Sequence, residues 1–119
     1  MSLVRVPVPV PDRDLLRLAG EIDLAQQFPL MVDISSRLRA QRQLIIDLSA
    51  VTFIDCSGLW TLDWARTRAR DIGGDMALVG PCPALSRILV LTSLDGNAPL
   101  FPDVPTAADA LHQREQARL

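Results

Sequence analysis

Hydrophobic and polar positions change period several times along the chain. Residues 3–10 alternate, with Val4, Val6, Val8 and Val10 on one face, which is the period of a strand. Pro7 and Pro9 cannot donate to a ladder, so this strand is expected at a sheet edge. Pro11 and Asp12 begin a turn. Leu15 to Leu18 predict a second strand, which runs out at Gly20, Glu21, Ile22 and Asp23. A helix is expected over about residues 29–40. Pro29 suits its first turn, and Leu30, Ile34 and Leu38 recur at helical spacing while Arg37 and Arg39 point elsewhere. Leu44, Ile45 and Ile46 form a continuous apolar run, as in a central strand buried on both faces, closing at Asp47, Leu48 and Ser49.

After Val51, Phe53 and Ile54 the chain reaches Asp55, a good helix N-cap. The helix it starts is expected to run to about Asp71, where Gly73 and Gly74 stop it. Wound at about 100° per residue, Leu62, Ala65, Ala69 and Ile72 share the face that packs on the sheet, and Trp60 and Trp64 fall on roughly the opposite side. Met76 to Val79 predict another buried strand. Pro81 and Pro83 lead into a helix over about 84–93, with Leu85, Ile88, Leu89 and Thr92 on one face. Thr106, with Asp109 three residues on, resembles a capping box for a last helix reaching about Arg114.

The order is β-β-α-β-α-β-α with a terminal helix. Strands alternating with helices predict an α/β domain whose mixed, mostly parallel sheet has helices packed against it and an N-terminal edge strand. At 119 residues, without repeats or linkers, residues 1–119 are expected to be one domain.

Composition narrows the function classes. The formal net charge is −2 and no basic tail exists, so nucleic-acid binding lacks its electrostatic footprint. The N-terminal apolar stretch is broken by Arg5, Pro7 and Pro9 and does not read as a signal peptide. No run approaches the roughly 20 apolar residues of a membrane helix, so no direct membrane insertion is expected. The two cysteines, Cys56 and Cys82, fit no zinc or redox spacing and read as free thiols of a cytoplasmic chain. With one histidine, His112, expected to be solvated in the terminal helix, a metal site lacks ligands, and no cofactor is implied. Asp23 and Asp55 read as a strand end and a helix cap more readily than as a catalytic pair. Arg66, Arg68 and Arg70 spread around their helix as a solvated surface. No set completes a nucleophile, base and electrophile, so an enzyme is not expected.

One stretch carries a resemblance. Asp47-Leu48-Ser49, then Val51, Phe53, Ile54, Asp55, Cys56, Ser57, Gly58 and Leu59, resembles the signature of STAS domains and bacterial anti-sigma factor antagonists. Gly20-Glu21-Ile22-Asp23, Gly73-Gly74 and Leu91-Thr92-Ser93-Leu94-Asp95 resemble other segments of that family, so the likeness covers about residues 13–111 in consistent order. It implies a regulatory protein of bacterial transcription that sequesters a kinase-like, ATP-binding anti-sigma factor. In the family the residue after the aspartate is phosphorylated by that kinase, which releases the antagonist, and a cognate phosphatase reverses the step. A phosphate there would sit at a helix N-terminus and add about −1.5 to −2 charges to a partner surface.

This chain departs from the family at that position, which holds Cys56. Three readings follow: constitutive binding with the switch lost, Ser57 as the acceptor, or Cys56 as a redox or modification switch, since thiolates form more readily at helix N-termini. The partner-binding surface expected from the resemblance and the helix pattern comprises Asp23, Asp55, Cys56, Ser57, Gly58, Trp60 and Trp64. The tryptophans are a candidate hot spot for a partner or for a homodimer, unless another segment covers them. The alternative function is a STAS subunit of a membrane transport system, docking on its ATPase or permease.

Overall fold

The computed structural model describes residues 3–10, 13–40, 42–91 and 99–117. Its elements are β1 (Leu3–Val10), β2 (Arg13–Ile22), α1 (Leu24–Arg37), β3 (Gln43–Ile54), α2 (Cys56–Asp71), β4 (Asp75–Val79), α3 (Pro83–Leu91), β5 (Leu100–Phe101) and α4 (Val104–Ala117). The five strands lie in chain order, β1-β2-β3-β4-β5. β1 pairs antiparallel with β2, and the other three pairings are parallel. The expected mixed sheet and its edge strand β1 are therefore present.

Strand order decides where the helices go. Parallel strands that follow one another in space need crossovers, and crossovers of one hand put their helices on one face. Leu30 and Ile34 of α1, Leu62, Ala65 and Ala69 of α2, and Leu85 and Leu89 of α3 join Leu16, Leu18, Leu44, Ile46, Leu48, Met76 and Leu78 in the main core. Alternate strand residues point the other way. There Leu15, Ile45, Ala77 and Val79 form a smaller core with Ala107 and Leu111 of α4. α4 packs on β3, β4 and β5, and on this face the β1 valines Val4 and Val6 stay exposed.

Several boundaries differ from the sequence reading. α1 begins five residues before Pro29, because Asp23 accepts the Gln26 N–H at 3.2 Å and caps it. Pro29 is thus the sixth helical residue. The bond it cannot make would go to Ala25, and both residues are exposed, so water can take that carbonyl. β3 does not close at Ser49 but continues to Ile54, carrying Val51 and Ile54 back into the core. β5 was not expected from sequence at all. Asp103, not Thr106, caps α4: its carboxylate accepts the Thr106 N–H at 2.8 Å, which holds that carboxyl below its usual range. The Leu85 and Leu89 face of α3 is buried while Ile88 is exposed. Thr92, the Ser93–Asp95 part of the family-like segment, and the Pro11–Asp12 turn lie outside the described residues.

α2 ends as its sequence predicts. Gly73, at φ 86°, donates to the Arg70 carbonyl and Gly74 donates to the Ala69 carbonyl, the paired bonds of a Schellman stop. Ile72, expected on the sheet face, instead occupies the C-cap and is exposed. Arg66 also departs from expectation. It is nearly buried and paired at 3.2 Å with buried Asp75 at the start of β4, whereas Arg68 and Arg70 are exposed.

A candidate binding site where two helices begin

α1 and α2 both start at the carboxyl ends of neighbouring parallel strands, the edge where α/β sheets place their functional loops. Two hydrogen bonds join the junctions. Asp55 donates its N–H to the Ile22 carbonyl at 3.1 Å, and its Oδ2 accepts the Leu24 N–H at 3.2 Å. The other carboxylate oxygen, Oδ1, accepts the Gly58 N–H at 3.0 Å. One aspartate therefore caps its own helix and the first turn of its neighbour, and it sets Asp23 beside the start of α2.

Gly58 fixes how closely α2 approaches. A Cβ there would meet Ile54 Cγ1 at 2.6 Å and the Ile22 carbonyl oxygen at 2.7 Å. Only glycine lets the helix start rest on the ends of β2 and β3. Cys56, the first helical residue, is exposed and free, and Ser57 is half-buried with its carbonyl accepting the Thr61 hydroxyl at 2.8 Å. Trp60 is 52 % exposed. Trp64 is partly buried against the main core, and the two rings stack with centroids 6.5 Å apart and planes 14° from parallel. The structure thus brings Asp23, Asp55, Cys56, Ser57, Gly58 and Trp60 together at one end of α2. It places Trp64 one turn further on, not opposite the core as its helical angle suggested.

Other polar groups are structural in setting. On the α4 face, burial alone would raise the Asp47 carboxyl. The N–H and hydroxyl of Ser49 and the Arg17 guanidinium, 3.0 Å away, outweigh it and hold the group below its ordinary range. The Asp47-Leu48-Ser49 segment thus lies within β3, with the Asp47 carboxylate on the α4 face and Leu48 in the main core. A cleft of about 490 Å³ between the ends of β4 and β5 and the start of α3 is lined by Gly80, Pro81, Pro83, Ser86, Leu100, Phe101 and Pro102, without a titratable side chain. Cys82 is exposed near it and His112 is exposed on α4. Among the described residues no three His, Cys, Asp or Glu side chains converge as metal ligands. No helix among them is long and apolar enough to cross a membrane. Sequence reasoning missed the exposed apolar row Leu24, Phe28 and Val32 on α1, because starting the helix at Pro29 hid its spacing.

A five-stranded α/β sheet thus carries three helices on one face, and an aspartate-capped helix start is held against the preceding βα junction. The STAS domain family model matches residues 5–107. The chain belongs to the STAS domain family. It is 29 % identical over 96 residues to a Mycobacterium tuberculosis protein provisionally named an anti-anti-sigma factor, a match covering 78 % of this chain and 65 % of that one. The chain thus spans just under two thirds of that relative. The crystal structure of an anti-sigma factor antagonist from Mycobacterium paratuberculosis superposes with a TM-score of 0.81 at 28 % identity, covering 93 % of this chain and 95 % of the other. The Bacillus cell fate determinant SpoIIAA, solved in unphosphorylated and phosphorylated forms, matches at 18 % identity with TM-scores of 0.68 and 0.67, over 92 % and 90 % of this chain and 98 % of the other.

Proposed function

We propose that this chain is a non-enzymatic, cytoplasmic antagonist of a kinase-like, ATP-binding anti-sigma factor, and that it acts by occupying that partner. The observation that carries the reading is the α2 start itself. Asp55 holds Cys56 and Ser57 at the surface beside Asp23, and an exposed Trp60 stands one turn from Cys56. An exposed tryptophan next to a fixed polar turn is the composition of a binding hot spot. The antagonist name of the M. paratuberculosis protein, similar over nearly the whole chain, supports the same reading.

Cys56 stands where the family resemblance puts a phosphoaccepting hydroxyl. A thiol there leaves the geometry of the helix start unchanged and removes the oxygen nucleophile. The protein then binds its partner whether or not ATP is present, and release by phosphorylation at this position is lost. Ser57 is the neighbouring hydroxyl and sets the competing outcome.

Purified chain and the anti-sigma factor of its source organism would be titrated with ATP and with ADP, alongside Trp60→Ala, Cys56→Ser and Ser57→Ala. Binding by the native chain is expected to persist in ATP and to weaken at least about tenfold in Trp60→Ala. Phosphate incorporation and release are expected only in Cys56→Ser. Phosphorylation of the native chain that disappears in Ser57→Ala would show that the switch was moved, not lost. Absence of binding, with capture of a transporter ATPase or permease instead, would replace the antagonist reading by the transport one.

A further inference from the structure

The apolar surface extends beyond the tryptophans. On α1, Leu24, Phe28 and Val32 are 68, 75 and 53 % exposed, and their i, i+4, i+8 spacing sets them in one row. Ion pairs show which way the row faces. Asp33 bonds Arg5 of β1 at 3.4 Å, so its flank of α1 faces β1. Leu24 and Phe28 lie about 140–180° around the helix from Asp33, on the side away from β1. On α2, Arg66 bonds Asp75 of β4, which marks the flank away from α1. Trp60 and Trp64 lie about 120–160° from Arg66. Leu24, Phe28 and the two tryptophans therefore lie on the outer flanks that border the seam between two helices that pack together, while Val32 points away from the sheet.

The charge around this seam has one sign. In residues 21–32 and 52–65 the charged side chains are Glu21, Asp23, Asp55 and Asp63, with no arginine, lysine or histidine among them. Among the described residues none of these four is in an ion pair. Three of them gather at the strand ends, where α1 and α2 begin, and basic side chains resume on α2 only at Arg66 and Arg68, beyond the tryptophans. Asp23 and Asp55 already accept N–H bonds from the two helix starts, yet no cationic side chain among the described residues pairs with them, and an apolar seam ending in such carboxylates is complementary to a segment of opposite character.

We propose that the α1–α2 seam receives an amphipathic helix of a protein partner, its apolar face on Phe28 and Trp60 and its lysine- or arginine-bearing end against Asp23 and Asp55. The proposal rests on the reading of this protein as a partner-binding module and adds the partner segment's shape and charge. From Leu24 to Val32 the row is about 12 Å long, which two turns of a docked helix cover. The same carboxylates disfavour an anionic lipid surface.

The probe is a synthetic amphipathic peptide of about 16 residues, with a leucine face, lysines in its last turn and no aromatic residue. A matched peptide carries glutamate for lysine. Trp60 and Trp64 are the only tryptophans and the chain has no tyrosine, so intrinsic fluorescence reads the seam directly. The lysine peptide is expected to shift their emission saturably. Binding is expected to fall at least about tenfold with the glutamate peptide and with Phe28→Asp, whose exposed position leaves the unfolding midpoint close to native. Equal binding of both peptides, no binding of the lysine peptide, or full binding by Phe28→Asp overturns the proposal. The anti-sigma factor provides the second arm. If it binds the native chain and Phe28→Asp alike but not Trp60→Ala, the seam is wrong and the antagonist reading stands. If the peptide binds as expected and the anti-sigma factor does not, the seam stands and the antagonist reading falls.

Discussion

Replacing Gly58 by alanine tests the contact that holds the site together. The new Cβ would lie 2.6 Å from Ile54 Cγ1, 2.7 Å from the Ile22 carbonyl oxygen and 2.8 Å from Ile22 Cγ2. Ordinary carbon contacts are about 3.5–4.0 Å, so the deficit is near an ångström on three sides. Neither isoleucine can swing away, because Ile22 is fully buried and Ile54 nearly so. The Ile22 carbonyl is backbone and already accepts the Asp55 N–H. The first turn of α2 must therefore lift, stretching the Gly58–Asp55 cap as it goes. Overpacking of this kind costs about 1–3 kcal/mol and a weakened cap about 1 kcal/mol, while alanine's better helix propensity returns about 1 kcal/mol. The expected loss is about 2 kcal/mol, or roughly 8 °C in Tm for a domain of this size. Urea unfolding followed by the fluorescence of Trp60 and Trp64, both on α2, measures it, with an unchanged denaturant slope expected. A variant as stable as the native protein would mean that α2 does not rest on Ile22, and the account of the site would fail.

Asp55→Asn keeps one carbonyl for the Gly58 N–H but loses the acceptor for Leu24; it is expected to destabilise by about half as much as Asp55→Ala, which removes both at about 1–2 kcal/mol, as compared in the same unfolding assay. Arg66→Ala removes the cation beside the buried carboxylate of Asp75 and is expected to cost about 3 kcal/mol, the low end for a broken buried pair because the Met76 N–H still bonds that carboxylate; a joint replacement of Arg66 by Met and Asp75 by Val should recover part of the loss. Asp47 has a folded-state pKa below its unfolded value of 3.8, so the unfolded chain takes up that proton more readily. Its contribution is present above that pH and is lost as pH falls through the lower folded value. Unfolding midpoints measured from pH 6 down to pH 3 should fall less steeply in Asp47→Asn than in the native protein.

Local sequence signals identified the edge strand, the buried central strand and the helix that Asp55 begins and Gly73 ends, because each is written in local chemistry: prolines that cannot donate, an unbroken apolar run, an acidic cap and a glycine stop. The family resemblance followed from the same local segments and located the turn at Asp55–Gly58. Local signals failed where a distant group supplied the deciding bond. The start of α1 was misplaced because a proline looked like a first-turn residue, whereas Asp23 caps the helix and the neighbouring Asp55 bonds its first N–H across the fold. Arg66 read as a surface residue because its partner Asp75 lies on another element. β5 is two residues long and exists through its pairing with β4, a bond no window of its own sequence can reveal. The chain's own order of apolar, capping and breaking residues determined which elements form. Strand adjacency, which put three helices on one face and brought two helix starts together, decided that Asp23 lies beside Asp55 and Cys56.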